Sequence, residues 1–230
     1  MIKLYLGGIG SGKSISIVKE IVESEQPFYT NFRIYNAKNS KRLKINDIIT
    51  KKEKDDKKSK GKDVVNWKFW RGEIQKFRNF NIAVDELHNL MHSRRSMSKF
   101  NILMSMWIAQ IRKVCGSSEK THFYAISQEL ERIDISVRDL ANLIVWCRKV
   151  ETKQKITTTV RENGRLFKKE MPMVWIVRYY FLGSDCTRRY SLFRWNGEKS
   201  YNFRTKFLAN EYFSHYDSYE LIDFGESEYL

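Results

Sequence analysis

Cysteine is scarce: Cys115, Cys147 and Cys186 are the whole complement of a 230-residue chain. An odd number, widely spaced and without a Cys-x-x-Cys pair, gives no basis for a disulfide framework or a zinc site, and a reducing compartment is the natural setting. The four histidines (His88, His92, His122, His215) are equally scattered, so no metal set is read from them. His88 follows two acids and either lines a site or simply packs. Long apolar runs are also missing. The most apolar window, "FNILMSMWIAQI", is twelve residues long and holds Asn101 and Gln110, which falls short of a transmembrane helix. The opening "MIKLYLGGIG" is too short and too rich in glycine for the core of a secretion signal. A soluble protein with no transmembrane segment is expected. Internal repeats are absent. Acidic residues are in deficit, with 27 Asp and Glu against 42 Lys and Arg, for a net charge of +15 and a pI near 9.7. Such an excess implies a polyanionic partner: nucleic acid first, then an anionic membrane surface or an acidic protein. A merely soluble basic protein is the plain alternative.

What is present is enough to build a core. Hydrophobic residues make up 42% of the chain, and the length suits one substantial domain or one domain with a small appendage. "IKLYL" (2–6) reads as a buried parallel strand, and Ile17, Val18, Ile21 and Val22 follow at helical spacing. "FYTNFRI" (28–34) reads as a second strand. Residues 38–63 are expected to be a mobile lysine-rich insert, because "KKEKDDKKSKGK" (51–62) has no apolar residue; it is either a DNA-contacting loop or plain surface. "NFNIAVDELHNL" (79–90) reads as a strand ending in two acids. Met97, Phe100, Met104, Trp107, Ile108 and Ile111 keep one helical stripe, closed by Arg112 and Lys113. "THFYAISQ" (121–128) reads as a buried strand, and "ISVRDLANLIVWCRK" (135–149) as a short helix and a strand. Strands alternating with helices give an α/β fold with a mainly parallel sheet flanked by helices. Beyond residue 150, Asn163-Gly164 and Asn196-Gly197 sit between β-rich segments, and Asn-Gly in that setting signals hairpins. The expected organisation is a core over 1–150, then a β-hairpin extension and polar aromatic tail over 151–230 packed on it.

The stretch Gly7-Gly8-Ile9-Gly10-Ser11-Gly12-Lys13-Ser14 fits GxxxxGK[ST] at every position. Glycines let backbone N–H groups turn towards phosphate oxygens at the positive end of the following helix. Lys13 would neutralise the β- and γ-phosphates of ATP, and the Ser14 hydroxyl would bind Mg2+. Asp85 and Glu86 end an apolar strand, where Asp85 would order Mg2+ and Glu86 would polarise the attacking water. Gln128 ends the strand that should lie beside them, and an amide there can bind phosphate or water.

With these residues in place, "VDELHNLMHSRRSMSK", "QIRKV", "AISQ" and "SVRDLANLIVWCRK" resemble the FtsK–HerA branch of P-loop ATPases (RecA-like ASCE core). They are closest to viral genome-packaging and zonula occludens toxin-like ATPases of phages and archaeal viruses. The tail "YFSHYDSYELI" is similar to the end of the toxin-like chains. The resemblance implies a homo-oligomeric ring, hexameric by expectation, moving double-stranded DNA with ATP in the host cytoplasm, with a capsid, portal or membrane protein as a further partner. It also implies an arginine reaching into the neighbour's site. Arg138 and Arg112 are the candidates, with Arg94 and Arg95 behind them, and each equally fits a helix-end or surface arginine. Two departures stand out. The loop begins at residue 7, leaving no room for N-terminal domains, and no segment matches the membrane helix of the filamentous-phage proteins. A packaging motor fits both better than a secretion ATPase. A small-molecule phosphotransferase, or a basic structural protein with a vestigial nucleotide site, are the readings from other classes.

Overall fold

Strand β1 (Ile2–Leu6) is apolar towards both of its faces, with Leu4 and Leu6 in one core and Tyr5 in the other. A strand of that kind needs cover on both sides, as in a parallel sheet with helices above and below. The computed structural model of the chain has that architecture. It describes residues 1–51, 62–77, 79–91, 98–114 and 121–218, except for the side chains of 112–114. After β1 come α1 (Lys13–Val22), β2 (Phe28–Thr30), β3 (Ser40–Arg42), α2 (Ile45–Ile48), β4 (Ile49–Lys51), β5 (Asp63–Val65) and α3 (Trp67–Lys76). The chain continues with β6 (Asn81–Val84), α4 (Leu87–Leu90), α5 (Lys99–Val114), β7 (Phe123–Ser127) and α6 (Ile135–Arg138). Two long strands, β8 (Leu143–Glu162) and β9 (Arg165–Leu182), precede α7 (Cys186–Asn196) and β10 (Phe203–Leu208).

Among the described residues, eight strands form one sheet in the order β10-β9-β8-β1-β7-β6-β2-β3, and β4 and β5 form a separate ribbon. Strands β8, β1, β7, β6, β2 and β3 run parallel to their neighbours, while β9 and β10 add antiparallel to the edge at β8. This is the expected α/β arrangement, a mainly parallel sheet flanked by helices, with its antiparallel extension. One face is covered by α1 through Ile15, Ile17, Val18 and Ile21. The other is covered by α3, α5 and α7, through Trp70, Trp107, Ile108 and Tyr190. The α5 stripe read from the sequence is buried from Met104 to Ile111. Strand β8 passes through residue 150 unbroken, so the parallel half and the hairpin share one sheet.

Two expectations are corrected. Asn163-Gly164 does turn the β8–β9 hairpin, with φ of 48° and 78°, as a tight turn of that hand requires. Asn196-Gly197 does not turn a hairpin. "RRYSLFRW" lies within helix α7, and Gly197, at φ 71°, ends it in the left-handed conformation. The same dipeptide serves both purposes because both need a positive φ. Residues 38–51 are not a solvated insert either. They form β3, α2 and β4, and bury Leu43, Ile45, Ile48 and Ile49. The charged remainder, 52–61, lies outside the described residues. No helix among the described residues is long and apolar enough to cross a membrane.

Candidate functional site

The sequence-predicted groups gather at the carboxyl edge of the sheet. Leu6 pairs with Ser127, and Val84 with Ala125. Residues Gly7, Asp85 and Gln128, each next along its chain, therefore leave adjacent strand ends. Strand β7 separates the loop-bearing β1 from the acid-bearing β6.

The loop is shaped by its glycines. Gly12 sits at φ 93°, where a Cβ would fall 2.2 Å from Ile176 Cδ1. Gly8 and Gly10 are bordered by open space on the side where a Cβ would stand. Helix α1 starts at Lys13 with no side-chain cap and no acid in its first turn, so its leading N–H groups are left to an outside acceptor. Lys13 Nζ donates to the carbonyls of Gly7 and Gly8, both at 2.9 Å, and an ammonium has a third proton to give. Burial pushes the Lys13 pKa down, and the charges of Asp85 and Glu86 oppose that shift.

Ser14 Oγ donates to Asp85 Oδ2 at 2.5 Å, bringing together the two oxygens assigned to Mg2+. Asp85 is buried, and burial raises its carboxyl to about 6. The Ser14 hydrogen bond opposes the rise and the Glu86 charge adds to it. Its backbone is clamped by Asn31, which accepts from Asp85 N–H at 2.7 Å and donates to Asp85 O at 2.9 Å. Glu86 adopts φ 51°, left-handed for a non-glycine residue, and its N–H donates to Asp85 Oδ1 at 2.8 Å. Strain of that kind costs about 1–3 kcal/mol and concentrates at functional sites. His88 Nε2 lies 3.1 Å from Glu86 Oε2, and His88 Nδ1 lies 3.2 Å from Ser127 Oγ.

The fit to a nucleotide and a hard cation can be judged on two atoms. Ser11 Oγ in the loop is buried with no hydrogen bond, and Glu86 Oε2 opposite, 3.1 Å from His88 Nε2, makes no well-formed one. Buried oxygens of this sort ordinarily have partners, and phosphate, water and cation are what the loop and acids can take. The residues present fit the group. Among the described residues no cluster of three or more His, Cys, Asp or Glu forms a separate metal site. Cys147 lies beneath the loop: its carbonyl is 2.7 Å from where a Gly7 Cβ would stand, and its thiol lies 3.6 Å from Ser16 Oγ. Burial pushes that thiol up to about 11, so it packs and does not react.

Gly7 to Ser14, Asp85, Glu86 and Gln128 thus meet on one edge. Arg138 does not join them within the chain. It ends α6, four residues before Asn142, whose side chain accepts from Ile2 N–H at the opposite edge. The side chain of Arg112, and all of Arg94 and Arg95, lie outside the described residues. Asn31 and Tyr216 join the site with no assignment from the sequence, and His88, which the sequence leaves between lining a site and packing, lies beside Glu86. Asn31 follows the end of β2 at Thr30, whereas the sequence pattern carries that strand on to residue 34 and gives no signal for it. Tyr216 comes from the far end of the sequence. Its ring meets Phe32 edge-on at 5.9 Å, and its pKa is raised by burial first and by the Asp85 charge second.

No family model matches the chain, and no curated protein matches it. Solved structures do. The N-terminal domain of zonular occludens toxin from Neisseria meningitidis is 16% identical over 93% of this chain and 98% of that one, with a TM-score of 0.48. The DNA-packaging ATPase B204 of Sulfolobus turreted icosahedral virus is 14% identical over 66% and 76%, with a TM-score of 0.41. The genome-packaging NTPase B204 of Sulfolobus turreted icosahedral virus 2, in complex with ATP-gammaS, is 11% identical over 66% and 76%, with a TM-score of 0.39. Those neighbours come from the two groups that the motif resemblance names.

Proposed function

We propose that the chain is an ATPase that couples hydrolysis of MgATP to movement of double-stranded DNA during viral genome packaging. The observation that carries the reading is the Ser14–Asp85 contact at 2.5 Å beside the glycine loop, with the Glu86 carboxylate on the next residue. The loop amides and Lys13 hold the triphosphate. Ser14 and Asp85 would hold Mg2+, which when bound neutralises phosphate charge and orients the terminal phosphate. Glu86 accepts a proton from the attacking water as that water bonds to the γ-phosphorus, and ADP leaves with the bridging oxygen. Asn31 fixes the backbone that carries both acids, and Gln128 stands where an amide can contact the γ-phosphate or that water. Arg138 or Arg112 would complete the site from a neighbouring subunit in a ring, hexameric by the family resemblance. The charge of +15 supports a DNA partner.

Glu86→Gln tests the chemistry. ATP turnover should fall by about a hundredfold or more while nucleotide binding persists, and double-stranded DNA should stimulate the unaltered protein. Turnover unaffected by the substitution would overturn the assignment. A second reading, a toxin-like phage assembly ATPase with the same chemistry, is favoured by the tail "YFSHYDSYELI". Stimulation by single-stranded DNA alone would select it.

A further inference from the structure

Helix α4 is a single turn, and the left-handed Glu86 at its start sets its direction. Asn89 N–H donates to Glu86 O and Met91 N–H to Leu87 O, both at 2.8 Å. Leu87 and Leu90 anchor the turn in the core on the sheet face opposite α1. His88, between them, is buried, and its ring comes back against the Glu86 side chain.

Each ring nitrogen meets an oxygen. Nε2 lies 3.1 Å from Glu86 Oε2, and Nδ1 lies 3.2 Å from Ser127 Oγ. Ser127 is fully buried as the last residue of β7, immediately before Gln128, and its hydroxyl also reaches Glu129 O at 3.0 Å. A carboxylate brings lone pairs only, so a proton at the Nε2 contact belongs to the ring. Two forms of the ring supply it. In the neutral form Nδ1 accepts from Ser127; in the charged form Nδ1–H donates to Ser127, whose own proton stays on Glu129 O. The remaining tautomer would set a lone pair against a carboxylate, which repels. Glu86 Oε2 makes no well-formed hydrogen bond in this arrangement, and catalytic contacts commonly tighten once substrate is bound.

We propose that His88 is a positioning residue for Glu86: its ring holds the water-activating carboxylate to the end of β7, the strand whose next residue is Gln128. The inference rests on the nucleotide reading above. Asn31 clamps the backbone at Asp85 but does not reach the Glu86 side chain, and His88 supplies that second restraint. A glutamate has several rotamers to lose, and a base already aimed by a fixed neighbour avoids that loss in the transition state. The tie also makes the base and the amide of Gln128 answer to the same strand end.

The test uses the full chain and compares kcat and KM for ATP with ADP affinity measured by calorimetry in Mg2+. His88→Gln keeps an N–H near the place of Nε2, and His88→Asn keeps one near the place of Nδ1. In His88→Asn, kcat should fall about ten- to hundredfold, the size of one hydrogen bond to a charged group, while KM and ADP affinity stay within about twofold. His88→Gln should recover most of that loss. Ser127→Ala, which removes the Nδ1 partner, should lower kcat several-fold with KM unchanged. In a Glu86→Gln background His88→Asn should change nothing further, because the base it positions is gone. An unchanged kcat in His88→Asn or in Ser127→Ala overturns the inference and leaves the nucleotide reading intact. Equal losses in His88→Gln and His88→Asn, with ADP affinity and thermal midpoint falling together, mark a packing role and overturn it too. Failure of the unaltered protein to bind ADP and hydrolyse ATP overturns both.

Discussion

Asp85 is the residue whose environment has the clearest thermodynamic consequence. Its carboxyl ionises at about 6 in the folded protein against an ordinary 3.8, mainly because it is buried. An acid with a raised folded pKa costs stability once ionised. The cost is absent below the unfolded value, grows as pH rises between the two, and is complete above the folded value. Asp85→Asn should therefore stabilise the cation-free protein at pH 8 by up to about 3 kcal/mol, and the gain should vanish as pH falls towards 4. Thermal melts in EDTA at several pH values measure it. In Mg2+ the order should reverse, since the unaltered protein gains a ligand that the variant cannot hold. The loop and the two acids were legible in the sequence because their chemistry depends on local spacing and on the strand they terminate. Asn31 and Tyr216 were not, because they reach the site only after β2 pairs with β6 and the chain beyond β10 crosses α1. Linear spacing holds no trace of such meetings.

At the scale of elements, the chain beyond β10 is joined to the β8–β9 hairpin through one buried side chain. Asn210→Ala would leave Val174 N–H without its acceptor and remove both donated bonds. The expected cost is about 2–3 kcal/mol, read as a lower midpoint in urea with an unchanged slope. The parallel strands and α5 were legible because apolar runs and a 3.6-residue stripe are properties of single segments. Helix α7 was not. Its aromatic residues face a wall built by other elements, with Phe193 against Trp146 at 5.2 Å and against Tyr179 at 5.3 Å. Aromatic enrichment read as strand where packing had made it helix. Residues 38–51 misled for a related reason: polar composition hid the four apolar residues that the sheet edge and α3 bury.

Over the whole molecule, the charge is unevenly used. Register places Arg148, Val177 and Lys206 side by side across β8, β9 and β10, with Arg204 two residues along the same face. Arg148, Arg204 and Lys206 are exposed, and Lys206 lies 4.8 Å from the Trp175 ring centroid. A phosphate backbone suits such a surface. DNA affinity should fall by at least about tenfold between 50 and 200 mM salt, and Arg204→Glu with Lys206→Glu should flatten the salt slope by about two. Fluorescence anisotropy with a labelled duplex measures both.

Strand β8 has one end under Gly7, through the Cys147 carbonyl, and the other in the turn that Asp217 holds. The fifteen residue-to-residue steps from Cys147 to Glu162 span about 50 Å when extended, broken by a bulge between Glu151 and Lys155. It is a cantilever with a flexure part-way along, stayed near its tip by the segment that carries Tyr216. A push on the tip would load the Asp217–Gly164 and His215–Tyr35 ties before it bent the floor beneath the glycine loop.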